Sequence, residues 1–235
     1  MTQLRHARWS MIVIMAVIAA MQLWAVPAAS ARVTSGGEGH LAEPHKKIDG
    51  VTGSDAMGEG WYRSLSLPAA ENPAFGNGDR CVKIGRTGKV LLAIGNGPPQ
   101  TCTVPEGTAV FVIGIMAFCD NVEAPPWYGA DEAAQRECAW AVLRSTTESV
   151  QFTVDGGKAI DLQKRRFEIC APLRAVQLLP DNILGVPPQP ATFTACGWVA
   201  WLTDLAPGRH VLHSEATFND GPEHHVWSPV IEVTE

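Results

Sequence analysis

The chain has 235 residues, 46% of them hydrophobic, and carries a net charge of −6 from 24 acidic and 18 basic side chains. That length and apolar content suffice for one domain built around a single core. An acidic balance, with no basic run longer than Lys164-Arg165-Arg166, excludes a partner recognised through a phosphate backbone, so no nucleic acid is expected.

At the N-terminus, Arg5, His6 and Arg8 precede an uninterrupted apolar run over 11–21, and Pro27 and Ala29-Ser30-Ala31 follow. This order of positive, apolar and small-residue segments is that of a cleavable signal peptide, and the run is about half of the ~20 residues a membrane span requires. Residues 1–31 are therefore read as a signal peptide cleaved near Ala31, the alternative being an uncleaved N-terminal anchor. The mature form is expected to be secreted or periplasmic, without a membrane span. Residues 32–58 are rich in Gly, Ser, Glu, Lys and His, lack apolar periodicity, and are read as a flexible spacer. Residues 59–235 are read as a single domain.

Within that domain, Trp61, Tyr62, Leu65 and Leu67 suggest a short helix or turn ended by Pro68, followed by a loop to Arg80. Strands are predicted over 81–84, 89–94, 101–104 and 109–118, with Gly- and Pro-containing turns between them. The run over 109–118 is apolar or Gly throughout, as in a central strand covered on both faces. The one predicted helix covers 131–144, with Asp131 and Glu132 at its start and Arg144 at its end, as the helix dipole favours. Strands resume over 149–154, turn at Asp155-Gly156-Gly157, and continue over 158–162, 167–170 and 175–179. A Pro-containing loop over 181–190 leads to a strand over 195–202, in which Trp198 and Trp201 fall on opposite faces. A hairpin of 209–218 and 226–233 closes the chain. Many short strands, frequent turns and one inserted helix point to a mainly β fold, an antiparallel β-sandwich of Greek-key, immunoglobulin-like character.

The six cysteines all lie beyond residue 80, and an even number in an exported chain reads as a disulfide framework. Zinc and redox-active readings need closely spaced pairs such as Cys-x-x-Cys, which are absent. Sequence alone does not choose the pairing; chain-order pairing is the expectation, Cys81–Cys102, Cys119–Cys138 and Cys170–Cys196.

The succession Trp61-Tyr62, Pro68, Asn72-Pro73, Cys81, Cys102-Thr-Val-Pro-Glu-Gly107, an apolar strand ending at Cys119, Gly197-Trp198 and Leu205-Ala-Pro-Gly-Arg-His210 is similar to an uncharacterised family of exported bacterial β-rich proteins with no assigned activity. The resemblance covers most of 60–234. It implies an exported β-sandwich with a disulfide near Cys81 and Cys102, and it implies no mechanism. The strand over 89–94 departs from that family in lacking aromatic residues.

Three sets of residues are candidates for chemistry. His213, His224, His225 and Asp220 cluster near the C-terminus, with His210 and Glu223, and imidazoles with carboxylates can form a transition-metal site. A two-residue loop at Asp220-Gly221 would place Thr217 opposite His224 and leave His213 about 13 Å from it, too far for shared ligation, whereas a longer loop would change the register and bring His213 close to His225. Trp127 and Tyr128, on a Pro-rich loop, are candidates for stacking on a sugar ring. Carboxylates such as Asp155, Asp161, Glu168 and Asp204 offer acid–base groups whose spatial pairing the sequence does not give. No Gly-x-Ser-x-Gly elbow, His-Glu-x-x-His helix or phosphate-binding Gly loop entering a helix is present. The expectation is a non-enzymatic extracytoplasmic binding or surface-interaction module, without a cofactor, for an extracellular or envelope carbohydrate or protein ligand. The alternatives are an exported hydrolase of carbohydrate or cell-envelope material, and a metal-binding protein using the C-terminal histidines.

Overall fold

The computed structural model describes residues 38–95, 100–219 and 224–235. The signal-peptide reading of 1–31 and the spacer reading of 32–37 lie outside the described residues. Residues 38–58 do not form a spacer. β1 (Glu38–Ala42) pairs antiparallel with a strand near the C-terminus, and α1 (Gly53–Ser66) begins before the expected domain boundary. Three glycines dilute the helical pattern of α1, yet its start is fixed by a reciprocal cap. The Thr52 hydroxyl accepts from Asp55 N–H at 3.2 Å, and the Asp55 carboxylate accepts from Thr52 N–H at 3.1 Å. The chain turns extended at Leu67, ahead of Pro68.

After two short 3-10 turns come β2 (Cys81–Ile84), β3 (Val90–Ala93), β4 (Thr101–Pro105) and β5 (Ala109–Asp120). Next is α2 (Glu132–Thr146), capped by the Asp131 carboxylate, which accepts from Ala134 N–H at 2.9 Å. The remainder is β6 (Thr147–Val154), β7 (Ile160–Asp161), β8 (Glu168–Cys170), β9 (Arg174–Leu178), β10 (Gln189–Leu205), β11 (Gly208–Phe218), β12 (His224–Trp227) and β13 (Val230–Thr234). The expected single C-terminal strand over 226–233 is thus two strands, divided at Ser228-Pro229.

These strands form two sheets. Sheet one has the order β1-β10-β5-β3-β2, with β8 and β9 also on β10, and sheet two the order β4-β13-β11-β6-β7, with β12 also on β11. The fold is mainly β and sandwich-like, as its sequence pattern indicates, with two α-helices rather than one among the described residues. Pairing is antiparallel except for β3–β5 and β4–β13. The β3–β5 pair is parallel because the chain leaves sheet one after β3, places β4 in sheet two, and returns as β5. The cysteines pair in chain order. Cys81–Cys102 joins β2 to β4 across the two sheets, Cys119–Cys138 joins β5 to α2, and Cys170–Cys196 links neighbouring strands β8 and β10. Closing loops of 21, 19 and 26 residues, each contributes about 2–4 kcal/mol by restricting the unfolded chain.

Sheet one is covered on both faces. One core fills the space between the sheets and under α2, with Val110, Val112, Phe152, Trp198 and Leu143 among its members. A second lies under α1, with Met57, Leu65, Phe111, Phe193 and Trp201. Trp198 and Trp201 therefore do face opposite sides. Residues of β5 alternate between the two cores, and the alternation changes phase at Gly114. Val112 and Ile115 belong to the inter-sheet core, Phe111 and Met116 contact the other, and the register with β10 slips between Trp198 and Val199. This is a β-bulge, in which one residue of β5 has no counterpart on β10. Glycine fits there because a Cβ on Gly114 would sit 2.5 Å from the Trp198 carbonyl oxygen.

Candidate functional site

The cover that α1 gives sheet one is incomplete near the bulge. A cavity of about 260 Å³ lies between α1, β3, β5 and β12. From α1 it is lined by Ala56, Met57, Gly60, Trp61 and Ser64, which share one helical face. From the sheet it is lined by Leu92, Phe111, Ile113, Ile115 and Met116, the last three flanking the bulge at Gly114. β12 adds His225 and Trp227.

The walls are held by contacts made away from the cavity. Trp227 Nε1 donates to the Ala93 carbonyl at 2.8 Å, which fixes the indole as one wall. Trp61 packs on Phe118 with ring centroids 4.4 Å apart, and Phe111 meets the Trp201 edge at 5.3 Å. Large rings anchored elsewhere do not collapse into the space, and a preformed apolar cleft with few polar groups is the usual shape of a small-molecule site. The Ser64 hydroxyl is committed to the Gly60 carbonyl at 3.1 Å. His225 is the one ionisable side chain on the cavity wall among the described residues. Burial holds its pKa below the usual histidine value, so it faces the cavity as neutral imidazole at neutral pH.

The sequence-derived candidates are dispersed. The register of β11 with β12 places Thr217 opposite His224 and Ala216 opposite His225. His225 turns inward to the cavity, while His213 and His224 sit on the outer face of sheet two, four residue steps apart. Asp220 and Glu223 lie outside the described residues. The three histidines are not gathered, and no group of three or more His, Cys, Asp or Glu arranged for a metal occurs among the described residues. Period-two alternation separates His224 from His225, and strand rise separates His213 from His224.

Two constellations resemble parts of hydrolytic sites and are spent structurally. His210, 5% exposed, has Nδ1 2.8 Å from Asp155 Oδ2 and Nε2 2.8 Å from the Ala206 carbonyl. The nitrogen that would face a nucleophile is occupied by the backbone, so this pair clamps the Asp155 turn to β11. On the outer face, His213 Nδ1 lies 2.7 Å from Ser228 Oγ and Nε2 lies 3.5 Å from Glu215 Oε2. Both His213 and Glu215 side chains are about two-fifths exposed on a solvated sheet face. Asp161 caps Gln163 N–H, Glu168 pairs with Arg144, and Asp204 binds the Thr203 hydroxyl. None of these carboxylates lines the cavity.

Trp127 and Tyr128 are 38% and 46% exposed and belong to the surface, not to the cavity. Their loop is tied to the end of β5 through its backbone, with Asp120 N–H donating to the Trp127 carbonyl and Gly129 N–H to the Asp120 carbonyl. The same loop holds a carboxyl pair that sequence reading missed. Asp120 is 1% exposed, and its Oδ1 accepts from the N–H groups of Val122 and Glu123, both at 2.8 Å. Burial, and then the hydrogen bond to Asp120, push the Glu123 carboxyl up to about 7. Neither Asp120 nor Glu123 lines the cavity.

No family model and no curated protein matches the chain. A solved structure, the solution structure of amebosin, is similar over 59% of this chain and all of its own, at 10% identity and a TM-score of 0.23, a likeness that carries no argument about fold or function.

Proposed function

We propose that this chain is an exported, non-enzymatic binding module whose ligand is a small apolar molecule held between α1 and sheet one. The observation that carries the reading is the cavity of about 260 Å³, walled by indole, phenyl and aliphatic side chains that are anchored independently of it. Export is supported by the three-part N-terminal segment and by three disulfides, which persist in oxidising compartments. No helix among the described residues is long and apolar enough to cross a membrane. A binding role is favoured over hydrolysis because, among the described residues, a single ionisable group, His225, reaches the cavity, whereas acid–base or nucleophilic catalysis needs at least two groups converging on one bond. This narrows the ligand from the carbohydrate or protein expected from sequence to an apolar one.

The test is titration with N-phenyl-1-naphthylamine, a neutral probe that fluoresces in apolar surroundings. The expected result is saturable binding at one site per chain, abolished when Ala56→Leu fills the cavity. Absence of saturable binding, or binding indifferent to Ala56→Leu, refutes the proposal.

A further inference from the structure

Gly60 lies within α1, where glycine is disfavoured relative to alanine. Packing does not require it: a Cβ built there would meet nothing within 4 Å. The open space is the cavity, because Ala56 and Ser64, one turn before and one turn after, line it on the same face. Gly58 shows the contrast, since a Cβ there would run into the Arg174 guanidinium. Gly60 thus weakens the helix and leaves the cavity one methyl wider.

Ala56, Gly60 and Ser64 form a track of small residues eight positions long, about 12 Å at helical rise. On the measure by which a cavity of about 150 Å³ takes the six carbons of benzene, one of about 260 Å³ takes about ten. An extended chain advances about 1.2 Å per bond, so roughly ten carbons match the length. Met57 and Met116 on the walls are unbranched and adaptable, suited to a flexible chain. His225 supplies one hydrogen-bonding group on a wall that is mostly apolar.

We infer that the cavity holds a single unbranched acyl chain of about ten carbons lying along α1, with its carbonyl end at His225 and with Gly60 as the residue that admits it. This rests on the binding role proposed above and adds the ligand class and its specificity determinant. Gly60 is a substitution site at which stability and binding move in opposite directions, which a purely structural glycine would not show.

The experiment measures displacement of N-phenyl-1-naphthylamine by decanoic acid, methyl decanoate and adamantane-1-carboxylic acid from the delipidated exported protein, its Gly60→Ala variant and its His225→Phe variant. Displacement by either ten-carbon probe and not by the bulky acid is expected, with the acid and ester arms identifying a free or an esterified carbonyl end. Gly60→Ala is expected to raise Tm by about 2–4 °C while weakening the ten-carbon probe about tenfold. His225→Phe is expected to weaken the ten-carbon probe severalfold. Equal displacement by the adamantane acid, or a Gly60→Ala variant with unchanged affinity, overturns the inference. If the naphthylamine binds at one site and neither ten-carbon probe displaces it, the acyl assignment falls and the binding role stands. If the naphthylamine itself does not bind, the binding role falls and takes this inference with it.

Discussion

The two helices cover opposite faces of the same central strands, β5 and β10, and do so differently. α2 packs Ala139 and Leu143 into the inter-sheet core and is joined to β5 by Cys119–Cys138. α1 lies on the other face without a disulfide, carries glycines at 53, 58 and 60, and leaves a cavity between itself and the bulged part of β5. The comparison separates two uses of a helix in one fold. One seals a core and is judged by stability; the other gives up packing where a ligand is to be accommodated. A cavity that served nothing would cost contacts on every wall without return.

The largest expected effect is on the sealed side. Replacing both Cys119 and Cys138 by alanine is expected to cost about 2–5 kcal/mol, read as a fall in Tm by calorimetry. A change in Tm indistinguishable from zero would mean that packing alone holds α2, and the contrast with α1 would lose its covalent half.

Truncations sharpen the comparison next. Leu143→Ala, under α2, removes a side chain 2% exposed and is expected to cost about 2–5 kcal/mol. Met57→Ala, under α1, removes a side chain that already borders empty space, so its cost should fall at the lower end of that range. Denaturant midpoints for the two variants decide it; equal losses would argue that the cavity closes in solution.

Enlargements reverse the order. Ala139 and Ala56 are both fully buried. Ala139→Leu is expected to overpack and cost about 1–3 kcal/mol, whereas Ala56→Leu enters the cavity and should be close to neutral. An Ala56→Leu penalty as large as that at Ala139 would break the comparison.

The smallest effect concerns the carboxyl pair beside α2. The folded-state pKa of Glu123 is raised from 4.5 to about 7. The protonated form is therefore favoured by the fold, and its stabilisation is fully present below pH 4.5 and lost as pH rises through about 7. Glu123→Gln should abolish that dependence, so the variant gains on the parent between pH 5 and pH 8 in thermal melts. Parallel pH profiles for the two proteins would show that Glu123 does not titrate against Asp120.

Much of the fold was legible because it rests on short-range signals. The strand breaks at Gly and Pro turns, the alternation of β6 and β11, and the Asp131 cap of α2 are each written within a few residues. α1 was read only at its C-terminal end because Gly53, Gly58 and Gly60 blur its pattern, while the Thr52–Asp55 cap that starts it looks like loop composition. β1 was missed because Leu41 and Ala42 are its two apolar side chains, adjacent and on opposite faces, and five such residues become a strand only when β10 offers an edge. The cavity was not legible at all. Its polar group, His225, drew notice as a possible metal ligand, and its other wall residues read as ordinary core.

What the sequence by itself determined was the class: a mainly β chain with an even set of cysteines and one well-capped helix. Composition and local periodicity carry these, because they depend on residues near one another in the chain. Only the tertiary structure decided which cysteines meet, where β5 slips phase at Gly114, and that a glycine of α1, an imidazole of β12 and the side chains flanking that slip share one apolar space. Those residues are more than fifty positions apart, and only the stacking of helix on sheet brings them within reach of one ligand.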